Sequence, residues 1–238
     1  MLISNQTTRA MEAVESRERD VLRAYTPGAF PETNDVERTP MPVYTADPLS
    51  VTAPQDAFFV TADGARALYT RDGRFAFKDG VLVDSSGRAV LGFANERAPL
   101  APLRADPVDA ALGRTGTAAV QSDGSVTYER RTIDPRTGIA EVSRAVVGRI
   151  ALARFAAATK LQAVDAEHFA APAQIAPHVG RAQDGNFTAV RPFSHDSSAV
   201  DIDLGLERLQ EAYIALDAMR AAGVAQYGAQ KTAMDLLK

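Results

Sequence analysis

Between Ala57 and Phe93, short runs of β-branched and aromatic residues are broken by glycine turns at steps of about ten residues, a spacing that only short strands can satisfy. Phe58-Phe59-Val60 precedes Asp63-Gly64, Ala67-Leu68-Tyr69-Thr70 precedes Asp72-Gly73, and Phe75-Ala76-Phe77 precedes Asp79-Gly80. Val81-Leu82-Val83 then precedes Ser86-Gly87, and Val90-Leu91 precedes Gly92. An Asp-Gly pair supplies the positive-φ residue that a tight hairpin turn needs. The pattern predicts an antiparallel meander with structural turns at Gly64, Asp72, Gly73, Gly80 and Gly87. The same grammar continues through Thr117 to Val120, the turn at Asp123-Gly124, Val126 to Tyr128, and the turn Asp134-Pro135-Arg136-Thr137-Gly138. Ile139 to Ser143 and the run from Ala145 to Phe155 follow, so residues 51–193 read as one β domain. Ala156 to Val164 fits a short helix or a loop.

The two ends follow a different period. Gln6 to Tyr25 has no Gly or Pro, and Met11, Val14, Val21 or Leu22, and Tyr25 recur at steps of three and four, as on one face of a helix. Residues 1–25 are therefore expected to form an N-terminal assembly helix, stopped by Thr26-Pro27-Gly28. Pro31, Pro40, Pro42 and Pro48 make residues 26–50 an extended connector. Within residues 194–238, the second assembly helix, Ile202, Leu206, Leu209, Tyr213, Leu216, Met219 or Gly223, Tyr227, Met234 and Leu237 form a coiled-coil-like seam, with Asp201 or Asp203 at its start. Helical stripes at chain ends must find each other or another subunit, because a lone amphipathic helix is marginal in water. The fold class is α+β: an antiparallel β-rich centre flanked by amphipathic helices.

Composition removes several functional classes. A formal net charge of -4 gives no clustered cationic surface for nucleic acid. The longest apolar runs fall far short of the roughly 20 residues that cross a bilayer, so membrane insertion is not expected. The start, Met-Leu-Ile-Ser, lacks the basic and apolar regions of a secretory signal. With no cysteine, thiolate catalysis and zinc-thiolate sites are excluded. His168, His178 and His195 share no metal-ligand spacing and read as surface or capped residues. Asp63, Asp72, Asp79 and Asp123 each precede Gly and read as turn residues, and Asn is expected to replace Asp72 or Asp123 with little harm. No nucleophile with its base is discernible. Catalytic residues, cofactors and metals are all expected to be absent.

Phe58-Phe59-Val60, Asp63-Gly64, Tyr69-Thr70-Arg71-Asp72-Gly73-Arg74-Phe75, Gly80-Val81-Leu82-Val83 and Gly87-Arg88-Ala89-Val90-Leu91-Gly92 together resemble the start of the β domain in the flagellar axial family of rod and hook proteins. Val147-Gly148-Arg149-Ile150 to Phe155 is similar to the family's Val-Gly-x-Ile strand, and Ser198-Ala199-Val200-Asp201 stands where the family has Ser-Asn-Val-Asp. The family's Asn-rich stretch after the first helix and its Gln-Arg-x-Tyr in the last helix are missing here.

The resemblance implies a structural subunit, closest to the proximal or distal rod proteins, whose terminal helices pair in a coiled-coil-like layer of a helical tube. It further implies export through the flagellar type III apparatus, residence in the basal body, and partners that are copies of itself and other axial proteins. The expected assembly interface is Met11, Val14, Val21, Leu22, Tyr25, Leu206, Leu209, Tyr213, Leu216, Met219, Tyr227, Met234 and Leu237. A hook-type subunit is the near alternative. A secreted β-rich binding module is the distant one, and it has no use for apolar stripes at both termini.

Overall fold

Side-chain periodicity divides the molecule as it divides the sequence. The computed structural model describes residues 2–133, 136, 138–156, 159 and 161–236. Its fold is α+β, mostly strand, with a helix at each end. The chain separates into a helical unit, Met1–Thr26, Phe30–Thr39 and Ser198–Lys238, and a β unit, Pro27–Ala29 and Pro40–Ser197.

In the β unit the strands are β1 (Pro42–Tyr44), β2 (Val51–Thr52), β3 (Phe58–Asp63), β4 (Arg66–Thr70), β5 (Ala76–Lys78), β6 (Val81–Val83), β7 (Ala89–Phe93) and β8 (Ala101–Pro102). Further along come β9 (Ala119–Val120), β10 (Ser125–Ile133), β11 (Ala140–Arg154), β12 (Gln162–Ala163), β13 (His168–Ala170), β14 (His178–Arg181), β15 (Arg191–Pro192) and β16 (Ser194–Asp196). The main sheet runs β12-β13-β4-β3-β11-β7-β6-β5. Strand β11 organises it: its far end pairs with β10 alone, while Arg149 to Arg154 pairs with β7, β3 and β14. Strand β1 pairs with β16 outside this sheet.

The alternating apolar residues close one core, in which Val51, Phe59, Leu82, Val90, Val126 and Leu152 are completely buried. The Phe59 and Phe75 rings meet edge to face, 5.1 Å between centroids.

Three predicted turns have the hairpin form. Gly64 (φ 60) opens the two-residue link between Asp63 and Arg66. Asp79 (φ 50) and Gly80 (φ 75) link Lys78 to Val81, both central residues positive as a type I′ turn requires. Gly124 (φ 77) follows the Gln121 turn into β10. Gly87 (φ 81) lies in the longer loop from β6 to β7. Residues 134, 135 and 137 of the predicted turn before β11 lie outside the described residues.

Asp72-Gly73 is different, because the strands beside it do not pair with each other: β4 pairs with β3 and β13, and β5 with β6. Gly73 is not in the left-handed region; it is glycine because an added Cβ would sit 1.7 Å from the Val51 carbonyl oxygen. The Gly73 carbonyl in turn accepts the Val51 N–H at 2.9 Å. Asp72 is fully buried and accepts from Arg74 Nε and Nη2, both at 2.9 Å, and from the Ser85 hydroxyl. Asp72 thus keeps a turn contact, accepting the Arg74 N–H at 3.1 Å, but its buried carboxylate also holds half-exposed Arg74, a charge that Asn would not match.

Other boundaries also move. The 26–50 connector contains a 3-10 turn, Asn34–Val36, with Val36 and Ala29 wholly buried, and strand β1. Strand pairing extends to Asp196, inside the segment assigned to the last helix. A helix of one turn, α2 (Pro107–Ala111), interrupts the meander; Asp106 caps it by accepting the Val108 N–H at 2.9 Å, and Pro107 starts it.

Candidate assembly surface

The helical unit is built from α1 (Leu2–Arg23) and α3 (Ile202–Leu236). Helix α1 runs without Gly or Pro until Ala24, Tyr25 and Thr26 close its last turn on Asp20 to Arg23 carbonyls. Asp201 caps α3, its carboxylate accepting the N–H groups of Asp203 at 3.1 Å and Leu204 at 3.2 Å.

The two helices lie antiparallel within one chain, since Glu18 meets Tyr213 while Val21 meets Gly205. The Tyr213 hydroxyl donates to Glu18, which raises its pKa. Gly205 is buried against Val21, and a Cβ added there would lie 3.5 Å from Val21 Cγ2, an ordinary contact. The segment Phe30–Thr39 closes the pair. Buried Asp20 accepts the Glu32 N–H and the Thr33 hydroxyl. Arg17 grips Asp35 with two bonds, 2.6 and 2.8 Å, and holds that carboxyl below its ordinary value. Burial would raise the Glu32 carboxyl, but the hydrogen bond and charge of Arg19, with Arg23, outweigh it and the net shift is downward.

This pairing divides the expected interface. Val14 and Leu216 are buried, and Val21 and Leu209 are half-buried, so these four close the intrachain pair. Met11, Leu22, Tyr25, Leu206, Tyr213, Met219, Tyr227 and Met234 face solvent. Leu237 lies outside the described residues. The seam drawn from sequence does not take in every apolar residue that α3 turns to solvent. Ile214, Val224 and Leu236, which lie outside that seam, are 62%, 75% and 82% exposed. None of residues 217–236 is buried, although only Asp217, Arg220, Lys231 and Asp235 among them carry charge. The signal available in the sequence was that low charge density on every side of the helix, which a search for one stripe discards.

Length sharpens the contrast. Helix α3 has 35 residues and α1 has 22, so α3 overruns its partner by thirteen residues or roughly 20 Å at 1.5 Å per residue. Contiguous apolar surface of this kind marks protein interaction sites.

In the β unit several titratable residues are tied into ion pairs and turns. Arg71 bonds Asp196, Asp109 collects Arg114, Arg130 and Tyr128, and Asp123 accepts from Ser125 and Arg149. Among the described residues no three His, Asp or Glu side chains are grouped to hold a metal ion, and no helix is long and apolar enough to cross a membrane. No family model matches the sequence, and no curated protein matches it either.

Proposed function

We propose that this protein is a structural subunit of the bacterial flagellar rod, which builds a helical tubular filament through its terminal helices. The observation that carries the reading is the uncovered apolar length of α3, residues 217–236. Fully burying a side chain such as Leu or Met contributes ~1.5–3 kcal/mol, so Val224, Tyr227, Met234 and Leu236 together give a neighbouring subunit ample reason to bind. On this reading the helices of adjacent subunits complete a coiled-coil-like layer. The neighbours are copies of the chain and other axial proteins of rod and hook, and delivery to the basal body is by type III export. The ordered motifs from Phe58 to Gly92 and from Val147 to Phe155 support the family.

The test is Tyr227→Asp with Met234→Asp. Both side chains are exposed in the single chain, at 72% and 65%, so the monomer should fold unchanged while assembly requires burying two charges at a cost of several kcal/mol. The expected result is a soluble variant with unaltered circular dichroism that neither joins rods seen by electron microscopy of isolated basal bodies nor supports motility. Normal rods and motility with this variant would overturn the proposal.

A further inference from the structure

His168 is completely buried and lies between two carboxylates. Its Nε2 is 2.9 Å from Asp84 Oδ2, on the loop from β6 to β7, and its Nδ1 is 2.9 Å from Asp165 Oδ1, in the turn of the β12–β13 hairpin. Arg88, at the end of the β6–β7 loop, places Nη1 2.9 Å from the same Nδ1 and Nη2 2.9 Å from Asp165 Oδ2. Farther round, Glu167 binds Ser85, Ser86 and Arg74, and Arg74 binds Asp72.

These partners make different demands on the ring. Asp165 can only accept at Nδ1 and Arg88 can only donate there. A protonated ring donates to both carboxylates and leaves Arg88 to Asp165 Oδ2. A neutral ring with its proton on Nε2 keeps Asp84 and takes an Arg88 N–H, but turns a lone pair toward Asp165. With the ring charged, Asp84 and Asp165 are balanced by His168 and Arg88. Without it the buried group carries an uncompensated negative charge. Burial opposes the imidazolium, yet Asp84 and Asp165 outweigh it and the net shift in pKa is upward.

Apart from this group and the Glu167 bonds to Ser85, Ser86 and Arg74, the hairpin joins the sheet through a short ladder, in which His168 and Phe169 pair with β4 opposite Thr70 and Tyr69. We propose that His168 is a pH-operated clasp, whose protonated ring fastens the β12–β13 hairpin to the β6–β7 loop and whose deprotonation frees that hairpin from the edge of β4. Freeing it uncovers Phe169, whose ring packs edge to face on Phe58 at 6.2 Å, and opens the Tyr69–Thr70 edge to another strand. A raised pKa in the fastened state fixes the direction. The clasp is fully closed below the free value of about 6.5 and is lost as pH rises through the raised value.

Amide hydrogen exchange of the intact protein from pH 6 to 9, taken relative to the rates of unstructured peptides, tests this. Protection of residues 162–170 should fall by about tenfold per pH unit across the window between the free and raised pKa values, while that of Leu152 and Phe59 holds constant. His168→Gln keeps a donor toward Asp84 but carries no titrating proton, and its hairpin protection should be flat with pH. Constant protection in the wild type, or the same fall in His168→Gln, would sink the proposal. Should His168→Gln not fold, Asp165→Asn removes one carboxylate and must shift the fall to lower pH; an unshifted fall overturns the clasp.

Discussion

Arg71 shows how much one side chain can be asked to hold. It is 4% exposed, with Nε donating to Asp196 Oδ2 at 2.7 Å and Nη1 donating to the carbonyls of Pro54 and Ala57 at 2.5 Å. Burial raises the Asp196 carboxyl and Arg71 pulls it back. Removing one member of a buried pair leaves the other uncompensated, so Arg71→Met should cost ~3–5 kcal/mol in urea unfolding. Gly73 and Gly64 give a paired test of why glycine is present. Gly64→Ala meets nothing within 4 Å and has only its positive φ to resist, ~1–2 kcal/mol. Gly73→Ala drives a methyl into the Val51 carbonyl and should lower the thermal midpoint considerably more. From sequence, Thr70-Arg71-Asp72-Gly73 stood out as a motif but was read as a turn. The reasons for Arg71 and Gly73 lie in Asp196 and Val51, and partners so distant leave no local pattern. His168 was misread as a surface or capped residue for the same cause, its partner Asp84 being 84 positions away.

Hairpins whose turns contain their own explanation were legible, as Asp79-Gly80 between Lys78 and Val81 demonstrates. Short elements held by long-range contacts were not. Helix α2 is one: Asp109 within it accepts from Tyr128 Oη at 2.6 Å and Arg130 Nε at 2.6 Å on β10, and from Arg114. The Tyr128 hydrogen bond, helped by Arg130 and Arg114 against the effect of burial, lowers the Asp109 pKa to about 2. Because the folded value lies below the unfolded one, this contribution is present above about pH 4 and disappears as pH falls through about 2. Acid unfolding followed by tyrosine circular dichroism should therefore have a component between pH 4 and 2 that Asp109→Asn removes, while the variant is less stable at pH 7. Strand β11 carries another case. Its register with β10 shifts between Val126 and Thr127, beside Gly148 at φ 154, where an added Cβ would lie 2.7 Å from the Phe93 carbonyl oxygen. The Val-Gly-x-Ile motif was visible in the sequence, but the bulge that requires its glycine was not.

For the chain as a whole, alternation between helical and strand periods was enough to give the α+β class. It left open whether the end helices meet each other or another subunit; α1 and α3 close on each other within one chain, so only the far end of α3 is expected to be open to proteolysis. Opening of a helix precedes cleavage, and the uncovered end of α3 is the less stable part. Trypsin should cut after Lys231 and Arg220 before Arg17 and Arg23, whose side chains are bound to Asp35 and Glu32. Peptide mapping over time checks the order, and early cleavage at Arg17 would contradict the helix pair.

The pairing of β1 with β16 has a consequence for how such a chain can change. Pro42 stands opposite Asp196, so the long segment of the β unit, Pro40–Ser197, begins and ends on neighbouring strands. In topological terms it is an insertion whose two ends leave side by side, about 5 Å apart. An insertion with adjoining ends can lengthen, shrink or be exchanged for another with the same exit without altering the spacing of the chain on either side. Evolution or an engineer is thus free to vary residues 43–195 in size while leaving the helical ends, and whatever they join, as they are.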